Sequence, residues 1–176
     1  MRNFPGSAQA AVKIAARLGE MSPLYFVFDF AKVAKPLPET VSKAQFLYDF
    51  VPEKLAVGFS PAVISGTSLI DWQELFELGW GHNCGLCVFS TLPEEDLVRR
   101  LRDLTLTDIP QTRRKYACPE TLANLLSNGP DEFVTGLFNA ADAVLFEADS
   151  ADVCRLLTSL KLSPQVRGLG LDAMSD

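Results

Sequence analysis

The stretch that most constrains this chain covers residues 80–106, WGHNCGLCVFSTLPEEDLVRRLRDLTL. It reads as a turn, a short strand and a helix. Leu86, Cys87, Val88 and Phe89 form an unbroken apolar run, the mark of a buried strand. Ser90, Thr91, Leu92 and Pro93 stop it, and Pro93 suits the first helical position, where its missing N–H costs nothing. Glu94, Glu95 and Asp96 then sit at the positive end of the helix dipole, and Arg99, Arg100 and Arg102 lie towards the negative end. Leu97, Val98, Leu101 and Leu104 recur at helical spacing and make one apolar face. Propensity, capping, charge placement and periodicity agree here, so this strand–helix unit anchors the reading of the rest.

Before it, residues 7–18 read as a helix with a thin, alanine-rich stripe of Ala8, Ala11, Val12, Ala15 and Leu18, capped by Ser7 and ended by Gly19. LYFVFDF over residues 24–30 alternates as a strand does. Leu24, Phe26, Phe28 and Phe30 point one way; Tyr25, Val27 and Asp29 point the other. Asp29 stands at the strand's C-terminal end, where α/β proteins often place functional groups, although a carboxylate capping a nearby loop is the simpler reading. Residues 35–38 read as a loop, 42–48 as a short helix, and 56–65 as a strand broken at Ser60-Pro61 and therefore at a sheet edge. A turn at 66–68 leads to a helix through Trp72, Leu75, Phe76 and Leu78.

After the anchor unit, residues 112–117 read as a strand with a basic face. Cys118 caps a helix opened by Pro119, and Asn128, Gly129 and Pro130 end it. Asp131 caps a further helix through Phe133, Val134, Leu137 and Phe138. Residues 143–148 form a late strand, and Ser150 caps a last helix through Val153, Leu156, Leu157 and Leu160. The expected fold is α/β: a single mixed sheet of about five short strands covered by helices, with a more helical C-terminal lobe. Residues 1–20 are read as an N-terminal helical extension and 21–162 as the domain, with one lobe to about residue 107 and a helical lobe after about 112. Residues 163–176 are read as a loose tail.

With 176 residues, the chain is long enough to bury its own core without staples. Its net charge of −6 argues against broad binding to nucleic acid, which needs an excess of Lys and Arg. No apolar run reaches the length of a membrane span, and the first twenty residues lack the apolar core of a secretion signal, so a cytoplasmic location is expected. Four cysteines are too sparse for a disulfide scaffold, and all are expected as thiols.

Cys84 and Cys87 form a C-x-x-C pair beside His82, the one histidine. Such a pair can be a redox dithiol or half of a metal site, or simply two small buried hydrophobes. The third is favoured. A redox cysteine belongs at a helix N-terminus, whereas a strand follows Cys87; Cys118 and Cys154 are single and distant, so a four-ligand metal set is incomplete. Cys118 itself, at a helix start beside Arg113, Arg114 and Lys115, is a candidate nucleophile by position. No phosphate loop, nucleophile elbow or metalloprotease helix is present. No catalytic residue, metal or cofactor is therefore expected. Arg99, Arg100 and Arg102 on the helix, with Arg113, Arg114 and Lys115 on the basic strand, are either solvated charges or a basic platform for a protein partner, arginine being common in interface hot spots.

The order of several short motifs resembles the type VI secretion effector-adaptor (chaperone) family. LYFVFDFAK at 24–32 resembles its opening "LY-x-x-x-D-x-A" strand, FLYDF at 46–50 its "LY-x-G" turn, and FSPAVI at 59–64 its "G-P-x-L-V" strand. WGHNCGLCVFSTLPEEDLVRRLRDL is similar to its tryptophan–glycine turn, strand and "LRRHLR" helix, and RRKYACPETLANLL to its "FRYYDPRVL" segment. GPDEF and AVLFEAD stand where its closing helix and strand fall, so the likeness covers about residues 24–149. This chain departs at Phe50, where the family tends to glycine, at Arg100 for histidine, at Ala117 for an aromatic and at Cys118 for aspartate. Those changes imply a divergent cargo or a diverged member of the family. The resemblance implies a non-enzymatic adaptor that binds a secreted effector protein and helps load it on the valine–glycine-repeat spike. Lys115 and Tyr116 carry over best as partner-binding residues. The alternatives are a thiol oxidoreductase using Cys84 and Cys87, and a general protein-interaction domain outside secretion.

Overall fold

The computed structural model describes residues 2–5, 8–33, 44–65, 69–108, 112–148 and 153–159. Its centre is a seven-stranded sheet formed by β1 (Arg2–Pro5), β2 (Leu24–Phe28), β3 (Gln45–Phe46), β4 (Ala62–Ser65), β5 (Gly85–Phe89), β6 (Ala143–Glu147) and β7 (Val153–Thr158). The order across the sheet is β1-β7-β6-β5-β2-β4-β3. Every pairing is antiparallel. The helices are α1 (Ala8–Gly19), α2 (Glu53–Phe59), α3 (Leu69–Gly79), α4 (Glu94–Thr105), α5 (Pro119–Asn128) and α6 (Asp131–Ala140), with a 3-10 turn at Phe30–Lys32. β4 and β5 flank β2 and both oppose it, so they run parallel to each other and α3 is the crossover between them.

The sheet is buried on both faces, which is why β2 and β5 carry no polar or charged side chain and β6 only Glu147 at its end. On one face Leu24, Phe26, Phe28, Ile64, Cys87, Phe89, Leu145 and Leu156 pack against α1 and α3. On the other, Tyr25, Val27, Val63, Leu86, Val88, Val144 and Phe146 pack against α4, α5 and α6. Each large side chain so buried contributes about 1.5–3 kcal/mol of transfer free energy. The alanine stripe of α1 is not loosely docked. Ala11, Ala15 and Leu18 are fully buried, and the small side chains let α1 approach closely. No described helix is long and apolar enough to cross a membrane.

The α/β class is as expected, with several corrections in detail. The sheet has seven strands rather than about five, and it is antiparallel throughout. The expected last helix is instead β7, held between β6 and β1, where Cys154 and Leu156 alternate onto the α1/α3 face. The first half of the expected 56–65 strand is instead part of helix α2. In the expected 42–48 helix, the described residues from 44 onward contribute the short edge strand β3. The expected basic strand at 112–117 amounts to one bridge, Leu106 to Arg113. No pair of lobes divides near residues 107–112. β5, before that point, pairs with β6, after it, and α4 packs on α6. Residues 1–20 are likewise not an extension, since β1 closes one edge of the sheet and α1 lies in the core. The loop at 35–38, the turn at 66–68, the caps Ser7 and Ser150 and the tail from 163 lie outside the described residues.

Candidate partner-docking site

At the edge of the molecule, beside β3 and β4, residues 48–59 turn through Tyr48, Phe50, Val51 and Pro52 into α2. Pro52 occupies the N-cap of this short helix, where it lacks only an N–H the helix would not use. Tyr48 is fixed from below: its N–H donates to Ser60 Oγ at 2.8 Å, and that hydroxyl donates to Pro61 O at 2.9 Å. Its ring stacks on Phe50, centroids 5.6 Å apart. Leu55 and Phe59 fall one helical turn apart, so they share a face. That face is turned to solvent. Phe50 is 58% exposed, Leu55 52% and Phe59 66%.

These three side chains, with Tyr48, Val51 and Pro52, line a groove of about 400 Å³ whose far wall is Arg113 and Lys115. The Arg113 guanidinium lies over the Phe50 ring, 4.8 Å from its centroid. Its Nη1 donates to Thr112 O at 2.9 Å. Among the described residues, no carboxylate pairs with Arg113 or Lys115. Tyr48 lines the same groove, buried, and its hydroxyl has no hydrogen-bond partner among the described residues. Burial, with Asp29 nearby, pushes the Tyr48 phenol up to about 12, so it stays an O–H donor at neutral pH. The arrangement is apolar and aromatic in the middle, with cations at its margin. It can bind a protein surface, and it offers no nucleophile or acid–base pair.

The basic residues singled out in the sequence separate into different roles. Arg113 and Lys115 line the groove. Arg114 does not: its guanidinium donates to Leu106 O and lies 6.0 Å from the Phe133 ring centroid. Arg102 donates to Phe46 O at 3.1 Å and ties α4 to β3. Arg99 is exposed and paired with Asp96 at 2.6 Å on α4 itself. Tyr116 is corrected outright. It is buried in the core, where its hydroxyl donates to Leu101 O at 2.7 Å and its ring meets Phe133, so it cannot touch a partner. Phe50, Leu55 and Phe59 were not among the candidate partner-binding residues: Phe59 fell in the expected 56–65 edge strand, Phe50 was read only as a departure from the resembled family, and Leu55 stood in no expected element. The available signal was the i, i+4 pair Leu55 and Phe59 directly after Pro52.

A second cluster sits where β2 and β6 end and β5 begins. Gly81 and Asn83 take left-handed conformations, φ 82° and 51°, and turn the chain from α3 into β5. The buried Glu147 side chain holds that turn. Its Oε2 accepts from Gly81 N–H and its Oε1 from Asn83 N–H, each at 2.5 Å. A Cβ at Gly85 would lie 2.5 Å from the Phe28 ring, so only glycine fits there. The Asn83 side chain in turn accepts from Glu120 N–H at 2.9 Å, at the start of α5, and donates to Glu120 Oε2 at 3.1 Å. Cys118, the N-cap of α5, lies against Asn83 Oδ1 at 3.3 Å and Lys32 Nζ at 3.2 Å.

The four thiols are free and buried, but they differ. Cys84 is pushed up to about 12 by burial and by Glu147 and Asp29, and its thiol donates to Gly79 O at 3.6 Å. Burial holds Cys87 well above the ordinary thiol range and Cys154 at about 11. Burial also raises Cys118, but hydrogen bonds from Thr121 and the Lys32 ammonium outweigh it, and the net shift is downward. The C-x-x-C pair thus consists of two protonated core thiols at a strand entry. His82 is exposed, and among the described residues no three His, Cys, Asp or Glu side chains gather closely enough for a metal ion. No family model, curated protein or solved structure matches this chain.

Proposed function

We propose that this chain is a non-enzymatic adaptor of the type VI effector-loading kind. It binds a secreted effector protein in the cytoplasm and hands it to the valine–glycine-repeat spike. The observation that carries the reading is the exposure of Phe50, Leu55 and Phe59 together beside Arg113 and Lys115. These three are among the few large hydrophobics the described residues expose, and they form one patch with aromatic and arginine character, the composition of an interface centre. The occupant it fits is a cargo segment that presents an apolar side chain to the groove and carboxylates to its cationic wall. The chain as a whole carries −6, so this wall is a local reversal of sign that admits an acidic segment and repels a basic one. Phe50, where the resembled family tends to glycine, stands in the middle of the patch and accounts for a cargo of its own.

The test is co-expression with the products of neighbouring genes, followed by size-exclusion chromatography. The reading expects a stoichiometric complex with one of them, lost on Phe50→Asp with Phe59→Asp and weakened by Arg113→Glu. A complex that tolerates all three substitutions would place the docking surface elsewhere.

A further inference from the structure

The Cys118–Lys32 contact is used by neither the fold nor the docking groove. The two residues come from distant parts of the chain, Lys32 from the 3-10 turn after β2 and Cys118 from the start of α5. They meet with Nζ and Sγ 3.2 Å apart. Lys32 also donates to Asn83 O at 3.0 Å, which fixes the ammonium beside the sulfur; among the described residues no carboxylate forms an ion pair with it. Asn83 approaches the sulfur from the other side at 3.3 Å and is itself locked by Glu147 and Glu120. Lys32 is exposed, whereas Cys118 is only 5% exposed. The other three thiols sit in the α1/α3 face of the core.

We propose that Cys118 and Lys32 form an oxidative modification site that takes hydrogen peroxide and closes an S–N cross-link between the two side chains. In the first step the sulfur attacks one peroxide oxygen. The O–O bond breaks, water leaves, and the thiol becomes a sulfenic acid, oxidised by two electrons while the peroxide is reduced. In the second step the Lys32 amine, its extra proton given to solvent, attacks that sulfur. The S–O bond breaks, the S–N bond forms, and a second water leaves. One thiol, one amine and one hydrogen peroxide thus give one sulfenamide and two waters. The lysine amine takes the part a backbone nitrogen plays when sulfenic acids condense in this way. Its four-carbon stem supplies the small closing movement from van der Waals contact to bond length. The link joins the segment that leaves β2 to the first turn of α5.

The experiment exposes the purified full chain to equimolar hydrogen peroxide, followed by intact mass measurement and peptide mapping. The expected result is a loss of two hydrogens, a single linkage between the peptides of Lys32 and Cys118, and reversal by a dithiol reductant. In Lys32→Met the linkage disappears and Cys118 accumulates as a sulfenic acid trapped by a cyclic dione. Lys32 is exposed, so this variant keeps its fold, and the map of the unsubstituted chain is decisive without it. A Cys84–Cys118 disulfide, which has the same mass change but a different map, would overturn the proposal. So would a sulfenic acid that persists unlinked in the unsubstituted chain, or a Cys118 thiol that does not react.

Discussion

Glu147 offers the sharpest test of how the turn before β5 is held. Its two carboxylate oxygens each take one backbone N–H at 2.5 Å, from Gly81 and from Asn83, inside a buried site. Glu147→Gln keeps the shape and removes one acceptor. The amide oxygen retains one of the bonds in weaker, neutral form, and the amide nitrogen faces the other N–H, donor to donor. Losing one charge-assisted bond costs about 1.5–3 kcal/mol, and leaving a buried N–H unpaired is of similar size, so the two together come to about 3–6 kcal/mol. For a domain of this length each kcal/mol lowers Tm by about 3 °C, which gives a drop of about 9–18 °C. Thermal melting followed by circular dichroism reads it, and urea titration with an unchanged slope confirms a pure stability effect. The loss also reaches Cys118, because Asn83 no longer stands still against α5. A change under about 1 kcal/mol would refute the reasoning: the turn would then be held by Gly81 and the Phe28 packing alone.

Three further outcomes follow from the same geometry. Tyr116→Phe removes the buried hydroxyl that donates to Leu101 O, a second bond to a carbonyl inside α4, so urea denaturation should show a loss of about 1 kcal/mol with partner binding unchanged. Gly85→Ala drives a methyl group to 2.5 Å from the Phe28 ring and should cost about 1–3 kcal/mol by the same measurement. Cys118 should be the first thiol alkylated by a small reagent. Its thiol is depressed, so the rate should reach half its plateau below the usual thiol value of about 8.5, and Lys32→Met should move that midpoint upward. Cys84 and Cys87 should stay unreactive until the chain unfolds.

The parts of the fold legible from the sequence were those where several local signals coincide. α4 has its acidic first turn, its Leu97, Val98, Leu101 and Leu104 face and a proline at its entry, and it forms within a residue of expectation. β2 was legible because aromatic residues alternate along it, and both of its faces are covered. β7 was not, because Val153, Leu156 and Leu157 fit a helical stripe as well as a strand. Its conformation is decided by pairing with β6 and β1, which no local window contains. The antiparallel order was equally out of reach, since β1 and β7 meet from opposite ends of the chain. Of the candidate groove, Arg113 and Lys115 could be named from their charge. Tyr116, next in sequence, is drawn into the core by its packing on Phe133, a contact without a local signature. Lys32 beside Cys118 was invisible for the same reason. The basic neighbours in sequence, Arg113 to Lys115, are not the ones that meet the thiol.

The central claim is that the Phe50, Leu55 and Phe59 face, walled by Arg113 and Lys115, receives a protein partner. Exposed side chains such as Phe59 can be changed at little cost to the fold, about 0.5 kcal/mol or less. The most direct measurement is therefore the affinity of the co-purified partner for the unsubstituted chain and for Phe59→Asp, by titration calorimetry, with Tm recorded for both. The account predicts an unchanged Tm and a Kd weakened by about tenfold or more, as for loss of an interface anchor. Equal affinities at equal Tm would contradict it.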